Sequence, residues 1–283
     1  MVLENLLTPF QAEQTPSKTV FLGFIYATVA VFLSYMVFRS NASMTMVFLA
    51  TMAALPLVYQ LTQVEEEKDL EGYEESWLLK EHGKALNSMV WMFVGMTIAF
   101  MLAYAFLPSE MSSALFSAQR DTITSINGAA TGAIADEMSA FSRIFLNNVR
   151  VLVFCILFSF LYGAGAIFVL AWNASVIGTA MGNIVKSGFD KLADAVGVAV
   201  TGGQAQILGY ALLRYAIHGI PEILAYFVAG LAGGIISIAV VKHDMGTHKF
   251  EHVLLDSADL ILLALLICFL AGILEVWVTP VFF

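Results

Sequence analysis

His218-Gly219-Ile220-Pro221-Glu222 places two titratable side chains beside a proline, inside an otherwise apolar stretch. Proline removes a backbone donor and suits the first turn of a helix, so a helix is expected to end near His218-Gly219 and another to begin at Pro221. Glu222 then sits where the helix dipole favours a negative charge, with His218 and Arg214 close enough to pair with it. Such a group is either an interfacial cap held by a charge network or a His/Glu pair facing a cavity that could bind or pass a proton. A second constellation is His248, His252 and Asp256, spaced four apart. On a helix these share one face, and two imidazoles with a carboxylate suit a divalent metal ion; a titrating surface helix gives the same pattern.

The elements around these residues are membrane spans. Residues 20–38, 44–61, 86–107, 151–172 and 223–241 carry no Asp, Glu, Lys or Arg, and 260–278 carries only Glu275. Nineteen helical residues reach about 29 Å, close to the roughly 30 Å hydrocarbon core. The chain is 59% hydrophobic and 12% charged, against about 25% charged residues in ordinary soluble domains. The expected fold is all-α, a polytopic membrane protein of six to seven transmembrane helices. Residues 192–217 contain Gly197, Gly202, Gly203 and Gly209 and read as a broken or re-entrant segment, tolerated at depth only where protein or water covers it. The lipid bilayer is the first partner.

Three regions are expected. Residues 1–107 hold three spans and an acidic loop at 63–84, in which eight acidic residues face three lysines. That loop reads as a solvated helical extension or as a docking surface for a basic partner. Residues 108–150 form an amphipathic connection of one or two helices, packed on the membrane face or over a neighbouring subunit. Residues 151–283 form a membrane core, with Gly163-Ala164-Gly165 inside an apolar helix. Gly178 with Gly182, and Gly230 with Gly234, are small-xxx-small pairs that let helix backbones approach, within one subunit or between copies. Cys155 and Cys268 lie in apolar runs as reduced packing residues. Lys and Arg divide evenly between the two sides; the acidic loop puts the N-terminus in the cytoplasm.

Asn147-Asn148-Val149-Arg150, then Gly163-Ala164-Gly165, Trp172-Asn173 and Gly178 occur in that order. With His218-Gly219-Ile220-Pro221-Glu222, the span at 230–234, and Glu275-Val276-Trp277-Val278-Thr279-Pro280, this series resembles the stage II sporulation protein M family over roughly residues 143–280. The resemblance implies an integral membrane protein without catalytic activity of its own. Its best understood relatives recruit peptidoglycan-degrading partners during sporulation. The polar residues that match the family are Asn147, Asn148, Arg150, Asn173, His218, Glu222 and Glu275. Converged, with Arg214 added, they would form a charge-balanced cluster, either structural or a substrate, ion or proton site.

Enzyme signatures are missing: no P-loop, no G-x-S-x-G, no H-E-x-x-H and no cysteine metal cluster. Nothing basic enough to neutralise phosphates points to nucleic acid. The sequence therefore reads as a non-enzymatic scaffold of the cell membrane, a homo-oligomer holding unidentified membrane or cell-envelope proteins. It needs no cofactor beyond the candidate divalent metal. The rival reading is a channel or transporter using the polar cluster.

Overall fold

A computed structural model describes residues 7–69, 75–131, 137–162, 165–196, 201–242 and 247–282. For 75–76, 125–131, 162, 189–196, 201–208, 210–216, 218, 249 and 282 it describes the backbone alone. The described residues are 96% helical, with no strand among them. A short α1 (Pro9–Gln14) leads to α2 (Pro16–Val37), a 3₁₀ turn at Arg39–Asn41, α3 (Ala42–Asp69) and α4 (Glu75–Phe106). Two connecting helices, α5 (Ser109–Leu115) and α6 (Ser117–Thr131), precede α7 (Glu137–Tyr162), α8 (Ala166–Val196) and α9 (Thr201–Lys242). The described chain ends with α10 (His248–Ile273), a π-helical turn at Leu274–Val278 and α11 (Thr279–Phe282).

Among the described residues, seven helices are long and apolar enough to cross a membrane: Pro16–Val37, Arg39–Asp69, Trp77–Phe106, Glu137–Leu161, Ala166–Gly188, Gly219–Lys242 and Phe250–Val281. This is a multi-pass membrane protein. Two expectations need correction. Residues 151–172 are not one span: α7 stops at Tyr162 and α8 starts at Ala166, so the seventh crossing comes from this split. Gly165 is squeezed there, since a Cβ at that position would lie 2.2 Å from the Phe158 carbonyl oxygen. The helix also does not end at His218-Gly219. Helix α9 runs through Pro221 without interruption, because ending a helix inside lipid exposes several unsatisfied backbone groups while proline removes only one bond. The described parts of 192–217 are the end of α8 and the first turns of α9.

The spans are locked by close backbone approaches. A Cβ at Gly95 of α4 would lie 2.0 Å from the Val20 carbonyl oxygen of α2, and one at Gly23 2.0 Å from that of Met92. Gly178 and Gly182 sit against Phe100, Met101 and Tyr104 of α4, and Gly230 sits against Ala166. Gly234 is buried, and its neighbour Gly233 meets Ile156 of α7. Small residues thus serve packing within this chain, as association in lipid requires.

The helices of the middle connection fold back over the bundle. Phe116 is buried edge-on to Phe100 and Tyr104. Gln119, wholly buried, accepts from Ser43 Oγ at 2.7 Å and donates to Ser175 Oγ at 3.0 Å. Residues 137–150 belong instead to the first half of span α7.

Candidate functional site

The last turns of α3 carry Glu65, Glu66, Lys68 and Asp69. The expectation of a solvated acidic loop is corrected here: Glu65, Glu66 and Asp69 are at most 1% exposed. They are covered because α1, the start of α4, the end of α9 and the start of α10 meet at this end of the bundle. Thr8 and Gln11 cap α1 reciprocally, and Ser88 Oγ of α4 donates to the Ala12 carbonyl at 2.8 Å, which holds Glu13 in place.

Burial of carboxylates demands cations, and three are supplied. Lys68 Nζ lies 2.7 Å from Glu65 Oε1, 3.2 Å from Glu13 and 3.7 Å from Glu81. His82, on α4, stands between two acids, Nδ1 at 2.7 Å from Glu65 Oε2 and Nε2 at 3.0 Å from Asp69 Oδ1. An imidazolium can donate to both, whereas a neutral ring has one N–H. Lys242, closing α9, reaches Glu66 at 2.9 Å and Glu67 at 3.3 Å. Glu13, outside the spans, has its carboxyl raised above the ordinary 4.5 by burial, against the lowering pull of Lys68. Helices α1, α3, α4 and α9 are therefore joined at one face by charge.

Helix α10 adds His252 and Asp256, 2.9 Å apart. His248 turns instead to Glu251 at 3.4 Å and is exposed. The proposed His248, His252 and Asp256 trio is thus not assembled, and among the described residues no three ligand-type side chains group closely enough to hold a metal ion. Asp256 and Asp259 line a cleft with His82, between α10 and α4.

Of the family-matching polar residues whose side chains are described, Glu222 and Glu275 are the two that come near each other. Asn147 and Arg150 are exposed on α7. Asn148 is buried and its Nδ2 has no hydrogen-bond partner. Asn173 donates to its own helix at Val169. Glu222 accepts from Tyr226 Oη at 2.6 Å, and Glu275, on the π-helical turn, is near enough for the two carboxylates to act on each other. No described cation acts on either. The side chains of Arg214 and His218 lie outside the described residues. Beyond Glu275, Trp277 donates to Glu137 at 2.7 Å, tying the π-helical turn to the start of α7.

Sequence reasoning passed over His82, Gln119 and Tyr226. A signal for His82 existed: Glu65 and Asp69 are four apart on one helical face, and a histidine follows in the next helix. Gln119 and Tyr226 left no local trace, since their partners lie on other helices or one turn away inside lipid.

A family model described as Stage II sporulation protein M matches residues 88–280. The match starts within α4, so it takes in the third span but none of Glu13, Glu65, Asp69 or His82. No curated protein and no solved structure matches the chain.

Proposed function

The chain belongs to the stage II sporulation protein M family, and on that premise we propose that it is a non-enzymatic scaffold of the cell membrane. It presents the charged face formed by α1, α3, α4, α9 and α10 to partner proteins of the membrane or cell envelope. The observation that carries this reading is the ion-paired platform at that face. Buried charges contribute little net stability compared with apolar packing, but they fix the relative positions of four helix ends, those of α1, α3, α4 and α9, which is what a docking surface needs. The face holds Glu13, Glu67, Glu81, Asp256 and Asp259 at or near its surface, so the fitting partner is basic. We place this face, and the N-terminus, in the cytoplasm. Arg150, exposed thirteen residues into α7, favours assembly with a second copy that covers it, because a lipid-facing charge is costly.

The paired carboxylates Glu222 and Glu275 support the alternative of a channel or transporter. Reconstitution in liposomes separates the two. The scaffold reading expects proton, sodium and potassium leak no greater than that of empty vesicles. It also expects a photo-crosslinker at Asp259 to trap one discrete partner in native membranes. Flux that disappears on Glu222→Gln or Glu275→Gln, in variants that accumulate normally, overturns it.

A further inference from the structure

Gly219 sits inside the unbroken helix α9, where glycine is a poorer helix former than alanine. Gly95, Gly178, Gly230 and Gly233 each have a neighbour that a Cβ would strike; beside Gly219 nothing lies within 4 Å among the described residues. The space it leaves belongs to an apolar cleft of about 240 Å³. Phe93 and Val94 of α4, Ile177 and Met181 of α8, and Ile223 of α9 wall it. Thr97, the polar side chain in the lining, gives its hydroxyl to the Phe93 carbonyl of its own helix at 2.9 Å, so no donor is left over for a guest. Val94 lies near the middle of the span Trp77–Phe106 and Ile177 at the middle of Ala166–Gly188. The cleft therefore stands near the centre of the hydrocarbon core, where water and headgroups do not reach. Ile220, in the lining, is 61% exposed, which makes the cleft continuous with the surface that faces the bilayer.

We infer that this cleft between α4, α8 and α9 holds one acyl chain of a bilayer phospholipid, and that Gly219 serves to leave room for it. Depth selects the tail of the lipid over its headgroup, and the lining offers only dispersion contacts. Apolar cavities of about 150 Å³ already take up guests of benzene size, so this larger cleft accommodates a stretch of alkyl chain. Lipid tails are as apolar as leucine, so no hydrophobic gain drives entry. The chain is held instead by packing against walls on three helices, which the fluid bilayer cannot supply. A helix of a second copy, about 10–12 Å across with its side chains, is too broad for the same space. Holding a lipid chain depends on neither flux nor partner capture, which separates it from the scaffold reading.

The test places the full chain in nanodiscs of phosphatidylcholine that carries a photoreactive diazirine in its acyl chain, followed by peptide mapping. Phe93, Met181 and Ile223, each at most 8% exposed, should be labelled, although lipids coating the protein surface cannot reach them. Leu262 of α10, 63% exposed, reports those surface lipids. Gly219→Leu, whose side chain grows into the cleft, should lose labelling of the three buried residues, keep that of Leu262 and melt no lower than wild type. Gly219→Ala fills less of the space and should show a partial loss, which keeps the test decisive if the leucine variant folds poorly. After exhaustive detergent exchange, phosphorus analysis should find one more phospholipid per chain in wild type than in Gly219→Leu. Labelling confined to exposed residues, equal labelling of the buried three in wild type and the folded variant, or equal phospholipid retention overturns the inference.

Discussion

Lys242 at the end of α9 meets Glu66 near the end of α3, Nζ to Oε2 at 2.9 Å, across 176 positions of sequence. Glu66 is wholly buried, while the lysine is one-third exposed. The contact joins the family-matched half of the chain to the part that precedes it. Lys242→Met should lower stability by about 1–3 kcal/mol, below the roughly 3–5 of a fully buried pair because water reaches the lysine. Thermal unfolding in detergent of Lys242→Met, Glu66→Gln and the double variant checks this. The double variant should lose less than the sum of the singles; strict additivity would mean that the pair is not coupled.

His82 is the more critical cation. Its removal takes from buried Asp69 the cation it pairs with and leaves Glu65 with Lys68. His82→Ala should cost about 3–5 kcal/mol and reduce the folded protein recovered from membranes. His82→Ala combined with Asp69→Asn should recover part of the loss, as read by fluorescence-detected size exclusion.

Gly95→Ala should separate α2 from α4. The new methyl group would fall 2.0 Å from the Val20 carbonyl oxygen, so backbone must move, at a cost of about 1–3 kcal/mol or more. Gly83→Ala is the control: nothing lies within 4 Å of its Cβ position, and alanine is the better helix former by roughly 0.5–1 kcal/mol. Melting temperatures should move in opposite directions.

Glu13 makes part of the stability fall as pH rises. Its carboxyl is raised above 4.5 in the folded state, so folding favours the protonated form. The contribution is fully present below the unfolded value and is lost as pH passes the folded one. Glu13→Gln mimics the protonated group. The variant should match wild type near pH 4 and exceed it slightly at pH 8 in thermal unfolding; an advantage at pH 4 that vanishes at pH 8 would reverse the assignment.

Seven crossings put the two ends of the described chain on opposite faces. Single cysteines at Thr8 and Val281, on a background with Cys155 and Cys268 replaced by alanine, should react with a membrane-impermeant maleimide from opposite sides of sealed vesicles. Labelling from one side would restore an even number of spans.

What the sequence determined by itself is the helical membrane architecture, since runs without charge leave no other way to satisfy backbone polar groups in lipid. The family motifs between Asn147 and Pro280 were also legible as a series. The fate of individual polar residues was not. Glu65, Glu66 and Asp69 look like solvent-facing acids in any local window, and only α1, α4, α9 and α10 closing over them makes them buried and paired. Proline at 221 suggested a break by local rules, yet continuity of α9 was decided by the cost of opening a helix inside the bundle. Gly163-Ala164-Gly165 looked like packing within a helix, yet α7 ends at Tyr162 and α8 begins at Ala166, where Gly165 approaches Phe158 tightly. Periodicity sees one helix at a time. Where a charge finds its partner is set by contacts between helices far apart in sequence, and only the tertiary structure assembles those.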